Sequence, residues 1–243
     1  MTNKQKEGIP AIENIAKREL SKQQRQLVDA YQNHDKVIVT TGHGTGCTSC
    51  LSWILINEVV FNNNRVITIA STTQNTQDIF HKIEERHIAT MLITKTLLNN
   101  AAIVTVYEPE KKDTNFSGKQ VYLLDNASAL QKQSIPSHNT KVVMVGVPIR
   151  SNSHFHNISK DTSWKKLCFS AEDSPFVDKS WVSYVERNFG RDSAVFKKRV
   201  LGEFPETYRG LIMTNKHKEA VKSRNNFIIC NNLENMYKVQ EVY

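Results

Sequence analysis

The segment Val37 to Ser49, VIVTTGHGTGCTS, constrains this chain more than any other stretch. Val37, Ile38 and Val39 form a short apolar run of the kind found in a buried parallel strand. The run from Cys50 to Phe61, CLSWILINEVVF, is long and apolar enough for a buried helix. Between them lie Gly42, Gly44 and Gly46, which permit positive φ and let backbone N–H groups turn inward. A strand, a glycine turn and a helix in that order make an anion cradle, because a helix N-terminus adds unpaired donors and a partial positive charge.

The pattern G-x-x-x-x-G-K-[ST], the phosphate-binding P-loop, is met only in part by Thr41-Gly42-His43-Gly44-Thr45-Gly46-Cys47-Thr48, followed by Ser49. Cys47 stands where the lysine belongs. That lysine places a compact positive charge on the β- and γ-phosphates, which a neutral thiol cannot supply and a thiolate would oppose. Cys47 and Cys50 also form a C-x-x-C at a helix start, where a thiol pKa is expected to fall, so a redox pair or half a metal site is an alternative. No second ligand pair with matching spacing accompanies it, which favours accidental spacing. With Cys168 and Cys230 the four cysteines are too scattered for a disulfide framework.

A chain of 243 residues with 39% hydrophobic content can bury one substantial core, and its net charge of +8 favours an anionic partner. Leu51 to Phe61 is too short to span a bilayer, and MTNKQKEG lacks the apolar core of a signal peptide, so a cytoplasmic protein without membrane contact is expected. Residues 1–20 read as a loosely docked helical arm with an apolar patch at Ile12, Ile15 and Ala16. Ser21 is a candidate N-cap for a helix burying Leu27, Val28 and Tyr31. Gln24 in its first turn is a candidate reader of an adenine edge, since an amide both donates and accepts.

Further strands are expected at Arg65 to Ala70, Ala101 to Tyr107, Val121 to Asp125 and Lys141 to Gly146, with a helix from Thr76 to about Leu92. Asp125 closes the strand VYLLD, where a nucleotide hydrolase holds Mg²⁺ together with the Thr48 hydroxyl. The neighbour that would take a proton from water is Asn126, an amide unable to do so. Val147, after the strand KVVMVG, has no polar atom with which to sense a γ-phosphate.

Taken together, SKQQRQLVDA, VIVTTGHGTGCTS, ITIASTTQN, VYLLDNASAL, VVMVGVPIRSNSHF and the tail ending in FKKRVLGEFP resemble, in order, the ATPase domain of tailed-phage terminase large subunits. The resemblance implies an α/β, three-layer αβα P-loop NTPase fold with a mostly parallel sheet over residues 21–210, and a linker with a truncated nuclease remnant over 211–243. It departs at the chemistry. The family's G-K-T, D-E-A and G-N-P-T-R motifs correspond here to Gly46-Cys47-Thr48, Asp125-Asn126-Ala127 and Gly146-Val147-Pro148-Ile149-Arg150. Phe227 to Cys230 followed by Asn231-Asn232 resembles the first nuclease strand without its acidic metal ligand, which implies no nuclease activity.

The expected role is therefore a non-catalytic relic or a packaging factor that binds DNA, portal, small terminase or an active large subunit. ATP and Mg²⁺ are not required, and are the ligands if the loop still binds. Two other readings remain: an active ATPase in which Arg150 or a neighbouring subunit's lysine replaces the missing charge, and a nucleic-acid-binding module. For the last, Arg187, Arg191, Lys197, Lys198 and Arg199 are candidate DNA contacts, and a solvated helix face explains them equally well. Trp164, Trp181 and Phe189 are expected in the core.

Overall fold

The structure is a computed structural model that describes residues 8–62, 65–70, 92–98, 101–107, 120–130, 140–149 and 153–205. Contacts divide the chain into Met1–Glu206 and Thr207–Tyr243, and only the first unit contains described residues. The expected helix from Thr76, the nuclease-like segment from Phe227 and Arg150 lie outside the described residues.

The first unit is built on a seven-stranded sheet. In chain order the strands are β1 (Lys36–Thr41), β2 (Arg65–Ala70), β3 (Leu92–Leu98), β4 (Ala101–Tyr107), β5 (Gln120–Asp125), β6 (Thr140–Gly146) and β7 (Lys165–Phe169). Their spatial order is β3-β4-β2-β5-β6-β1-β7. From β2 to β7 all neighbours are parallel, while β4 is antiparallel to both β2 and β3. The register sets Val37 beside Val143 and Val39 beside Val145, so every second residue of adjacent strands shares a face.

Those two faces make two cores, as expected of parallel strands covered on both sides. Val37, Val39, Val121, Leu123, Val143 and Val145 pack against α1 (Ile9–Ala16), α2 (Lys22–Asn33) and α3 (Cys47–Ile56). Ile38, Tyr122, Leu124, Val142 and Met144 pack with Phe155 of α4 (His154–Lys160) on the other face. A third cluster joins α5 (Lys179–Phe189) to α6 (Ala194–Phe196), which continues in a π-helical turn over Lys197–Leu201. The three layers match the sequence-based expectation.

Three details differ from it. The first helix is not a loose arm, because Ile12 is buried in the same core as α2 and α3 and Glu13 accepts the Leu20 N–H at 3.0 Å. The strand β3 was not foreseen. Its signal is the β-branched content of Leu92 to Leu98, LITKTLL. Finally, Phe189 is 43% exposed rather than core, whereas Trp164 and Trp181 do pack against the second and third clusters.

Candidate functional site: the glycine loop and its cleft

The glycine loop leaves β1 at Thr41 and enters α3 at Cys47, with Gly44 and Gly46 at φ near 74° and 78°. Each glycine is required by a different neighbour. A Cβ on Gly42 would lie 2.3 Å from the Val200 carbonyl oxygen, one on Gly44 2.8 Å from Val177, and one on Gly46 2.7 Å from the Gln24 amide nitrogen. Hydrogen bonds fix the loop from outside: Gly42 donates to the Phe169 carbonyl and His43 to the Arg199 carbonyl, both at 2.8 Å. Ser174 Oγ donates to the Gly44 carbonyl at 3.2 Å. Inside the loop, Thr41 Oγ1 and Thr45 Oγ1 are 2.6 Å apart, and Thr45 Oγ1 lies 3.3 Å from Cys47 Sγ.

The loop opens on a cleft of about 660 Å³. Its wall includes the loop itself with Thr48 and Ser49, and also Asp125, Asn126 and Val147, so the structure brings these sequence-predicted positions together. Thr48 Oγ1 donates to Asp125 Oδ2 at 3.0 Å, while Asp125 Oδ1 accepts the Asn126 N–H at 3.1 Å. A hydroxyl and a carboxylate at the mouth of an anion cradle fit a hard cation with its phosphate. Among the described residues, no group of three acidic, histidine or cysteine side chains could hold a metal without it.

From Thr41 to Ser49 the loop carries no lysine or arginine. Cys47 is 6% exposed and burial pushes its thiol up to about 11, outweighing the lowering by the Thr45 and Thr41 hydroxyls. Burial also raises Cys50 well above the ordinary thiol range. The expectation that the helix N-terminus lowers these pKa values fails because desolvation dominates. Both shifts favour the protonated thiol, which weighs against the redox-pair reading. His43 is held below its usual pKa, first by burial and then by the nearby Arg199 charge, so its imidazole is neutral as well. Asn126 sits in the left-handed region at φ 51°, a conformation asparagine accepts better than glutamate.

Gln24 spends its amide within the protein. Its side chain is 1% exposed, with Oε1 accepting the Ser21 N–H at 3.1 Å and Nε2 donating to the Gly46 carbonyl at 3.1 Å. It closes a capping box with Ser21 and pins the loop to α2. The basic segment is likewise partly spent within the protein. Arg191 pairs with Glu172 at 2.9 Å and lies over the Phe196 ring, and burial lowers the pKa of Lys198. Arg187, Lys197 and Arg199 therefore do not form one row of free cations with them.

Sequence reasoning missed two residues of the cleft. Arg18 and Phe176 both line it, and the Arg18 guanidinium lies 5.0 Å from the Trp53 ring and 5.2 Å from the Phe176 ring. Arg18 was hidden by its place in a segment read as an arm. The burial of Ile12 shows that this segment is docked.

The glycine loop between β1 and α3, with the carboxylate of a second parallel strand beside it, is an arrangement of the P-loop type. Two solved structures of the Thermus phage P74-26 large terminase ATPase domain, one of them a point mutant, superpose with TM-scores of 0.55 and 0.54 at 11% identity, covering 79% of this chain and 96% and 97% of theirs. In sequence the chain is similar to the "Probable terminase, large subunit" of Enterobacteria phage P7, at 22% identity over 83% of this chain. The chain spans about half of that relative, 49% of its length. No family model matches. Among the described residues no helix is long and apolar enough to cross a membrane.

Proposed function

We propose that this chain is a terminase-type ATPase domain that no longer hydrolyses ATP and acts in viral DNA packaging by binding. The observation that carries the reading is the neutral, buried thiol of Cys47 at the lysine position. Beside it stand the Asn126 amide in place of a proton acceptor and the apolar Val147 in place of a γ-phosphate sensor. Each such loss removes positioning or charge stabilisation that phosphoryl transfer depends on. The frame persists, with Thr48 and Asp125 still joined, so Mg²⁺ and a nucleotide phosphate would sit between the loop and that pair. When bound, the metal would offset phosphate charge there.

A domain that keeps the fold but does not fire would occupy a place in a packaging motor without contributing a stroke. DNA, portal, small terminase or an active large subunit are the partners this reading implies. The test is phosphate release from Mg·ATP by the purified chain, with addition of the chain to an active packaging motor. Absent turnover and loss of packaging at substoichiometric ratios are expected. Turnover that disappears in Asp125→Ala would instead support a working ATPase, the second reading, which the intact Thr48–Asp125 contact favours.

A further inference from the structure

The cleft is electrically lopsided in a way the sheet order explains. The strands β5 and β6 lie on one side of β1, and β7 lies on the other. Asp125, Asn126 and Val147, which end or follow β5 and β6, therefore wall one flank of the glycine loop. Phe176, which follows β7 and whose ring would touch a Cβ on Gly46 at 3.0 Å, walls the opposite flank together with Arg18. A loop of this type takes the metal and the terminal phosphate on the carboxylate flank, which leaves the nucleoside end on the flank of β7.

Resting on the reading that the frame still takes a nucleotide, we propose that the cleft grips its ligand from the nucleoside side. Arg18, held between the Trp53 and Phe176 rings, is the cation for the near end of the phosphate chain, so ADP and ATP bind alike.

Arg18 is placed for this by a turn that leaves it little freedom. Its N–H donates to the Glu13 carbonyl at 3.3 Å. Two residues on, Leu20 donates to Glu13 Oε1 at 3.0 Å and accepts from Arg25 Nε at 3.1 Å. Two aromatic rings near 5 Å hold the guanidinium by cation–π attraction where Arg18 lines the cleft. Among the described residues lining the cleft, Arg18 is the one permanent cation. The 45% exposed Phe176 ring beside it offers an apolar wall for ribose or base. At the far end the described lining consists of Cys47, His43 and Val147, none of which is a permanent cation.

The experiment is calorimetric titration of Mg·ADP and Mg·ATP into the wild type, Arg18→Ala, Arg18→Lys and Cys47→Lys, with melting curves as a check on folding. The wild type should bind the two nucleotides within about threefold of each other. Loss of one charge-assisted contact in Arg18→Ala should weaken both by about tenfold or more. Arg18→Lys should recover part of the loss, and Cys47→Lys should favour ATP over ADP. A tenfold preference of the wild type for ATP, or an Arg18→Ala protein that binds both as before, would overturn the proposal. No binding of either nucleotide would also overturn it, while leaving the non-hydrolysing reading intact. Phosphate release abolished by Asp125→Ala would end that reading instead, and the ADP titrations would still decide the role of Arg18.

Discussion

Replacing Gly42 by alanine tests what the glycine loop owes to packing. Gly42 does not lie at positive φ, so alanine carries no torsional penalty there, and the whole effect is steric. The new methyl carbon would lie 2.3 Å from the Val200 carbonyl oxygen, 2.9 Å from that of Arg199 and 3.0 Å from the Ala171 nitrogen. All three are backbone atoms, so relief requires the loop and the turn over Lys197–Leu201 to separate by about 0.7 Å or more. Overpacking of that kind costs roughly 1 to 3 kcal/mol. Separation also strains the bonds from Gly42 to Phe169 and from His43 to Arg199, adding about 1 kcal/mol. The expected total is about 2 to 4 kcal/mol against a stability of roughly 5 to 15, which lowers Tm by roughly 5 to 15 °C. Denaturant titration and thermal melts of the ligand-free protein measure it. A Gly42→Ala protein that melts within about 1 °C of the wild type but has lost nucleotide binding would refute the reasoning, because the glycine would then be kept for a phosphate and not for packing.

Other expectations are quicker to check. Alkylation mapped by mass spectrometry should leave Cys47 and Cys50 unlabelled at pH 7, and labelling of Cys47 in the folded protein should rise only as the pH approaches about 11. The folded-state pKa of His43 lies below its ordinary value of 6.5, so the native state binds fewer protons than the unfolded one. Its contribution is complete above 6.5 and erodes as the pH falls toward the folded pKa, so His43→Gln should flatten the pH dependence of Cm below pH 6.5. Asn126→Glu should lower stability by about 1 kcal/mol through left-handed strain and should not by itself produce ATP turnover, measured by phosphate release. Arg191→Ala should leave salt-dependent retention on DNA unchanged, because its guanidinium is held by Glu172 and Phe196.

Packing also accounts for the glycines around the cleft. Gly42, Gly44 and Gly46 each face a part of this chain that leaves no room for a side chain, so they are needed whether or not a ligand is bound. Gly202 is placed in the same way, since its Cβ would meet the Gly42 nitrogen and the Phe169 carbonyl at 2.8 Å. The closing Gly-Glu-Phe-Pro segment is thus a structural wedge behind the loop.

The sequence by itself determined the layered α/β architecture and most of the wall of the cleft. Strands buried on both faces must be continuous apolar runs, and a glycine turn between such a run and a buried helix has few other uses, so β1, β5, β6 and the loop were legible in place. Thr48, in the first turn of α3, and Asp125, at the end of β5, could be paired because both face one crevice, and Thr48 Oγ1 lies 3.0 Å from Asp125 Oδ2. The tertiary structure alone decided what the side chains do once packed. Gln24 carries the right atoms to read a base, yet both are consumed by Ser21 and Gly46, which sequence spacing does not reveal. Cys47 sits where a helix dipole lowers a thiol pKa, but burial outweighs the dipole, and burial is a property of the whole fold. Arg18 reached the cleft only because Ile12 anchors α1 to the core and a turn then swings the chain over Trp53 and Phe176. Periodicity reports which face of an element is apolar. It is silent on which distant residue will lie across from it.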